Sequence, residues 1–130
     1  MEIVCIDDDP MILKLLTIAL QRRLSASVLS FSNPRTALDE LVDRDPPDLV
    51  VLDAMMPEVD GFDVCRALMR AWGVEQTCFI FLTAGGPGHQ ERALEVGAAA
   101  ALSKPFQPNQ LVREIARILE AEGEHGGTTG

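Results

Sequence analysis

The chain's 130 residues are enough for one domain with one hydrophobic core, and too few for two. Apolar residues make up 47% and are spread along the length, which excludes a disordered class; no apolar run, Phe79-Ile80-Phe81-Leu82 included, is long enough to span a bilayer. A net charge of −9 argues against nucleic acid or an anionic membrane as a direct partner, and suits either a divalent-cation site or plain solubility.

Taken in order, Glu2 to Ile6 reads as a first strand that stops at Asp7-Asp8-Asp9-Pro10. Asp9 is a good N-cap and Pro10 a good first helical residue for a helix running to about Leu24, with Met11, Leu15, Ile18 and Ala19 as its inward face. Ser27 to Phe31 alternates as a second strand, and Ser32-Asn33-Pro34 opens a helix with Ala37, Leu38, Leu41 and Val42 apolar. Asp48 to Leu52 is the third strand and delivers Asp53 to its C-terminal end; Pro57 and Asp60-Gly61 then force a turn.

The third helix runs from Phe62 to about Trp72, with Cys65, Leu68, Met69 and Trp72 at helical spacing. Cys78 to Leu82 is the fourth strand, ending at Thr83-Ala84 and followed by Gly85-Gly86-Pro87-Gly88, a loop expected to be mobile. A short helix covers Gln90 to Val96, and Ala99 to Leu102 is a weak fifth strand leading to Ser103-Lys104-Pro105-Phe106. The last helix starts near Pro108 with Leu111, Val112, Ile115, Ile118 and Leu119 on one stripe. From Gly123 the chain turns Gly-rich, which divides it into a domain of residues 1–122 and a flexible tail or linker start, 123–130.

Five alternations of strand and helix predict an α/β fold: a doubly wound, flavodoxin-like parallel sheet of order 2-1-3-4-5, covered on both faces by five helices. In such sheets the site lies beyond the carboxyl ends of the strands, and those ends carry Asp7/Asp8, Asp53, Thr83 and Lys104. Converging carboxylates repel one another unless a cation joins them, and Mg²⁺ is the economical one. Lys104 and Thr83 suit phosphoryl oxygens, and Asp53 is a competent nucleophile for an acyl phosphate.

Each piece has a plainer reading when taken alone. The acidic run is a helix cap, Asp53 and Thr83 are turn residues, and Lys104 is a solvated charge. The joint occurrence at four strand ends is what favours a site. Cys5, Cys65 and Cys78 lack metal spacing and read as reduced core thiols. His89 and His125 read as solvent-facing, and Glu91, Arg92 and Glu95 as a solvated helix face. The glycine loop lacks the Gly-Lys-Ser/Thr of a P-loop.

With Asp7-Asp8, Leu52-Asp53-Ala54-Met55-Met56-Pro57 with Gly61, Leu82-Thr83-Ala84 and Lys104-Pro105-Phe106 in this order, the chain resembles the receiver domain of two-component response regulators over about its first 120 residues. The resemblance implies that Asp53 accepts a phosphoryl group from a phosphohistidine on a sensor kinase or phosphotransfer protein. It implies Mg²⁺ held directly by Asp8, Asp53 and the Met55 backbone carbonyl, and by Asp7 through water. Thr83, Ala84 and Lys104 would form the phosphoryl-binding and switch set, with a cis bond before Pro105. Such a domain is a switch that catalyses its own phosphorylation and dephosphorylation rather than a turnover enzyme, works in the cytoplasm, and acts on an output domain or protein.

One position departs from the family. The switch aromatic, three residues before the lysine, is Ala101, and the chain has no tyrosine. That puts the usual output coupling in doubt, and the Gly85–Gly88 loop is the expected substitute route. The alternatives are a phosphorylation-independent, receiver-like protein-interaction module and a Mg²⁺-dependent phosphohydrolase with an aspartyl nucleophile. For the second, Asp7 and Asp9 have the spacing, but Pro10 and the small size leave little room for substrate.

Overall fold

The computed structural model describes residues 1–73, 76–85 and 88–129, with side chains through residue 122. Five parallel strands, β1 (Glu2–Ile6), β2 (Ser27–Phe31), β3 (Leu49–Asp53), β4 (Cys78–Thr83) and β5 (Ala100–Ser103), form one sheet in the order β2-β1-β3-β4-β5. Between them run α1 (Pro10–Leu24), α2 (Pro34–Leu41), α3 (Gly61–Trp72), α4 (His89–Val96) and α5 (Pro108–Thr129). This is the doubly wound α/β architecture that the strand and helix alternation predicts.

The sheet is buried on both sides because its strands are apolar at consecutive positions. Ile3, Cys5, Leu49, Val51, Ile80 and Leu82 point to one face, where they meet Leu13, Leu16 and Leu20 of α1 and Leu111, Val112 and Ile115 of α5. Val4, Ile6, Val50, Leu52, Phe79 and Phe81 point to the other, against Ala37 and Leu41 of α2, Phe62, Cys65 and Leu68 of α3, and Ala93 of α4. The two-residue period of a strand produces this division, and it leaves no solvated face in the central strands.

Helix starts follow local chemistry. Asp9 caps α1 by accepting from the backbone N–H groups of Met11 and Ile12, and Asn33 caps α2 through those of Arg35 and Thr36, each cap followed by proline. Trp72, buried at the end of α3, donates Nε1–H to the Leu41 carbonyl at 3.0 Å and so ties α3 to α2.

The inward face of α1 differs from the expected one. Met11, Leu15 and Ile18 are 71%, 46% and 40% exposed, while Leu13, Leu16, Ala19 and Leu20 are buried. The segment is apolar around most of its circumference, so two stripes satisfy helical spacing and the sheet contact chooses between them. On α2, Val42 likewise lies outside the packed stripe. The backbone of α5 continues helically past Gly123 to Thr129 rather than stopping where the glycines begin. Glycine opposes a helix by entropy, about 1 kcal/mol per residue against alanine, but leaves its hydrogen bonds possible. Gly86 and Pro87, half of the loop expected to be mobile, lie outside the described residues.

Candidate functional site

The chain reverses direction of winding between β1 and β3, so a crevice opens where these strands end. Ile6 pairs in register with Leu52, which places Asp7 and Asp53 side by side as the next residues of their strands. The ends are pinned from both flanks: the Asp7 N–H donates to the Phe31 carbonyl at 3.1 Å, and the Ala54 N–H to the Leu82 carbonyl at 2.8 Å. On the far flank the Lys104 N–H donates to the Thr83 carbonyl at 2.7 Å, which fixes the root of the Lys104 side chain. The Lys104–Pro105 peptide bond is cis.

After Asp53 the backbone makes a small hairpin in which Met55–Met56 pairs antiparallel with Val59–Asp60, with Glu58 at φ 67° in its turn. It returns to Gly61, whose N–H donates to the Ala54 carbonyl at 2.9 Å. A Cβ at position 61 would lie 2.1 Å from the Asp53 carbonyl oxygen. Only glycine lets α3 begin so close to the end of β3. Asp60 caps that helix through the Phe62 N–H at 2.8 Å.

The structure brings Asp7, Asp8, Asp53 and Lys104 together. Carboxylate oxygens of the three aspartates lie within 4.8 Å of one another; Asp7 and Asp53 are buried and Asp8 is exposed. Lys104 Nζ reaches Asp7 Oδ2 at 3.0 Å and Asp53 Oδ2 at 3.3 Å. Asp7 Oδ1 accepts from the Asp9 N–H at 2.9 Å, and Asp53 Oδ1 from the Met55 N–H at 3.2 Å. Asp7 Oδ2 is wholly buried, and the ammonium beside it is not aligned as a hydrogen-bond donor, so that oxygen has only an ion pair.

One ammonium cannot neutralise three carboxylates. Burial first, and the charge of Asp7 second, push the Asp53 carboxyl up to about 6, against the opposing pull of Lys104 and the Met55 N–H. Burial alone would lower Lys104, but Asp7 and then Asp53 outweigh it and hold the ammonium above its ordinary value. A buried oxygen without a donor, in a set of hard oxygens open to solvent through Asp8, fits a small divalent cation.

Thr83 ends β4, buried, and its hydroxyl is hydrogen-bonded to His89 Nδ1 and accepts from the Gly85 N–H at 3.3 Å. Ala84, next to it, and Met55, the first residue of the hairpin, are exposed. Ala101 is buried beneath α4, where its carbonyl accepts from Gln90 Nε2 at 3.4 Å.

Two expectations about α4 are overturned. His89 is half-buried on Thr83, its ring 6.0 Å from that of Phe62, not solvent-facing. Arg92 pairs with Asp60 at 3.0 Å and lies 4.2 Å over the Phe62 ring, so it packs on the start of α3, while Glu91 and Glu95 stay exposed. Both contacts cross the Gly-rich loop, and spacing along the sequence could not supply them. Cys5, Cys65 and Cys78 are free thiols, each pushed up to about 12 chiefly by burial.

A strand-end acidic cluster with one lysine on this doubly wound sheet defines a class of signalling domain, and comparison with known proteins gives the family. The response regulator receiver domain family matches residues 3–116. The chain is 34% identical over 122 residues to the phosphate regulon transcriptional regulatory protein PhoB of Pseudomonas aeruginosa, covering 93% of this chain and 52% of that one. It is 38% identical over 126 residues to the DNA-binding response regulator MtrA of Mycolicibacterium smegmatis, covering 94% and 52%. Among solved structures, the BeF3-activated DrrB receiver domain superposes with a TM-score of 0.78 at 31% identity, over 92% of this chain and 97% of that one. The chain belongs to the response regulator receiver domain family, and spans about half the length of the curated relatives it matches.

Proposed function

We propose that this domain is the phosphoacceptor of a two-component pathway, with Asp53 as the acceptor. The observation that carries the reading is the placing of buried Asp7 and Asp53, from two strands, on the Lys104 ammonium of a third. A carboxylate oxygen of Asp53 attacks the phosphorus of a phosphohistidine. The N–P bond breaks, the O–P bond forms, and the departing imidazole nitrogen takes up a proton. Asp7, Asp8, Asp53 and the Met55 carbonyl would hold Mg²⁺, which when bound neutralises charge on the transferred oxygens. Lys104 offers its fixed charge to the same oxygens, and Thr83 its hydroxyl proton.

The family's switch role implies that Asp53 is also dephosphorylated at this site. The domain proper is residues 1–122. The domain works in the cytoplasm, and its partners are a sensor kinase or phosphotransfer protein and an output domain or protein. With its net charge of −9, the domain itself does not contact nucleic acid. Among the described residues no helix is long and apolar enough to cross a membrane.

Intact mass after incubation with a small phosphodonor tests the reading. A gain of one phosphoryl group that needs both Mg²⁺ and Asp53, and is lost in Asp53→Asn, is expected. Neither adduct nor donor consumption would instead favour the phosphorylation-independent interaction module.

A further inference from the structure

Thr83 has one hydroxyl proton and two acceptor lone pairs, and the Gly85 N–H already occupies one lone pair. The remaining bond runs to His89 Nδ1, on the first residue of α4. Asp53 pairs in register with Leu82, so Thr83 is the next residue along the neighbouring strand, about 5 Å across the sheet. In the His89 tautomer protonated at Nε2, Nδ1 accepts the hydroxyl proton, and a phosphoryl group on Asp53, which presents only acceptor oxygens, would take that same proton. A single proton cannot serve both.

We propose that His89 is a positioning residue for Thr83: its Nδ1 accepts the hydroxyl proton while Asp53 is unmodified and gives it up to the phosphoryl oxygen, so that the first turn of α4 registers the state of Asp53. The inference rests on Asp53 being the phosphoacceptor.

The surroundings make that turn responsive as a unit. His89 and Arg92, three residues apart on one helical face, both lie against the fully buried Phe62, whose ring packs 4.5 Å from that of Phe81 in β4. Arg92 also holds Asp60, the cap of α3, at 3.0 Å. Behind the helix, Ala101 contributes only a methyl group, and Gln90 reaches its carbonyl across it. The contact between the site's hydroxyl and α4 is therefore made from the helix itself rather than from β5.

Imidazole NMR of the full chain during titration with beryllium fluoride and Mg²⁺ tests this, because only two histidines are present and His125→Gln assigns them. Fluorine signals report occupancy of the site. As the site fills, the His89 Nδ1 resonance should move from the position of a hydrogen-bond acceptor to that of a free nitrogen, and Thr83→Ala should show the free position from the start. His89→Ala, which removes the competitor for the proton, should bind beryllium fluoride about fivefold more tightly, the worth of one net hydrogen bond. His89→Asn, whose side-chain oxygen can accept the same proton, should return toward wild type.

A His89 resonance that stays still while bound fluorine saturates would overturn the proposal whatever the variants do. So would unchanged or weaker binding by a His89→Ala protein of unaltered melting temperature. Absence of bound fluorine in the wild-type protein, or binding that survives Asp53→Asn, would overturn the phosphoacceptor reading and this proposal with it.

Discussion

Replacing Gly61 with alanine should be among the most damaging single methyl additions in the chain. Alanine is the better helix former by about 1 kcal/mol, and Gly61 needs no left-handed φ, so propensity alone predicts stabilisation. Space predicts the opposite. The added Cβ would meet the Asp53 carbonyl oxygen at 2.1 Å, the Ala54 carbonyl oxygen at 2.9 Å and the Ala54 carbonyl carbon at 3.0 Å, all backbone atoms with no rotamer to escape into. Relief requires roughly 1 Å of separation between the end of β3 and the start of α3, which breaks the bond from the Gly61 N–H to the Ala54 carbonyl.

Overpacking of about 1–3 kcal/mol plus about 1 kcal/mol for the hydrogen bond, less the propensity gain, leaves a net loss of about 1–3 kcal/mol. For a domain of this size that lowers the melting temperature by about 4–12 °C, and in urea the midpoint should fall with the slope unchanged. Because the atoms displaced belong to Asp53 and its neighbour, phosphorylation by a small donor should also slow. A variant as stable as wild type, and phosphorylated as fast, would show that the turn yields freely and would refute the steric account.

Other predictions concern the charges and the core. Without Mg²⁺, the folded-state Asp53 carboxyl at about 6 lies above its ordinary 3.8, so its contribution to stability is fully present below about pH 3.8 and lost as pH rises through about 6. Urea midpoints of wild type relative to Asp53→Asn should therefore drop between pH 4 and 7 by the equivalent of about 1–3 kcal/mol, and added Mg²⁺ should reverse the difference; a flat difference would contradict the burial and Asp7 effects. Lys104→Met leaves two buried carboxylates without their ammonium, and should cost about 3 kcal/mol at pH 7 in metal-free denaturation, most of it recovered with Mg²⁺. Trp72→Phe strands the Leu41 carbonyl in the core and should lower stability by about 1–2 kcal/mol without affecting phosphorylation. Cys5 and Cys65, pushed up to about 12 inside the core, should resist a thiol reagent at pH 8 until urea unfolds the chain, and prompt labelling would contradict that burial.

The sequence by itself determined the strand and helix order, because apolar strand runs, the Asp9-Pro10 and Asn33-Pro34 helix starts and the Gly61 turn are local signals that each act within a few residues. It also placed Asp7, Asp8, Asp53, Thr83 and Lys104 at strand ends, since a parallel sheet sends every carboxyl end to the same edge. Only the tertiary structure decided which stripe of α1 faces the sheet, because Met11, Leu15 and Ile18 satisfy helical spacing as well as Leu13, Leu16 and Leu20 do. It alone joined His89 to Thr83 and Arg92 to Asp60 and Phe62. Those contacts depend on how α4 docks after a loop whose length and glycines leave its direction open, and a rotation or shift of the helix would aim both side chains elsewhere. Local propensity sets what each segment becomes, while packing against distant segments sets which of its side chains reach the site.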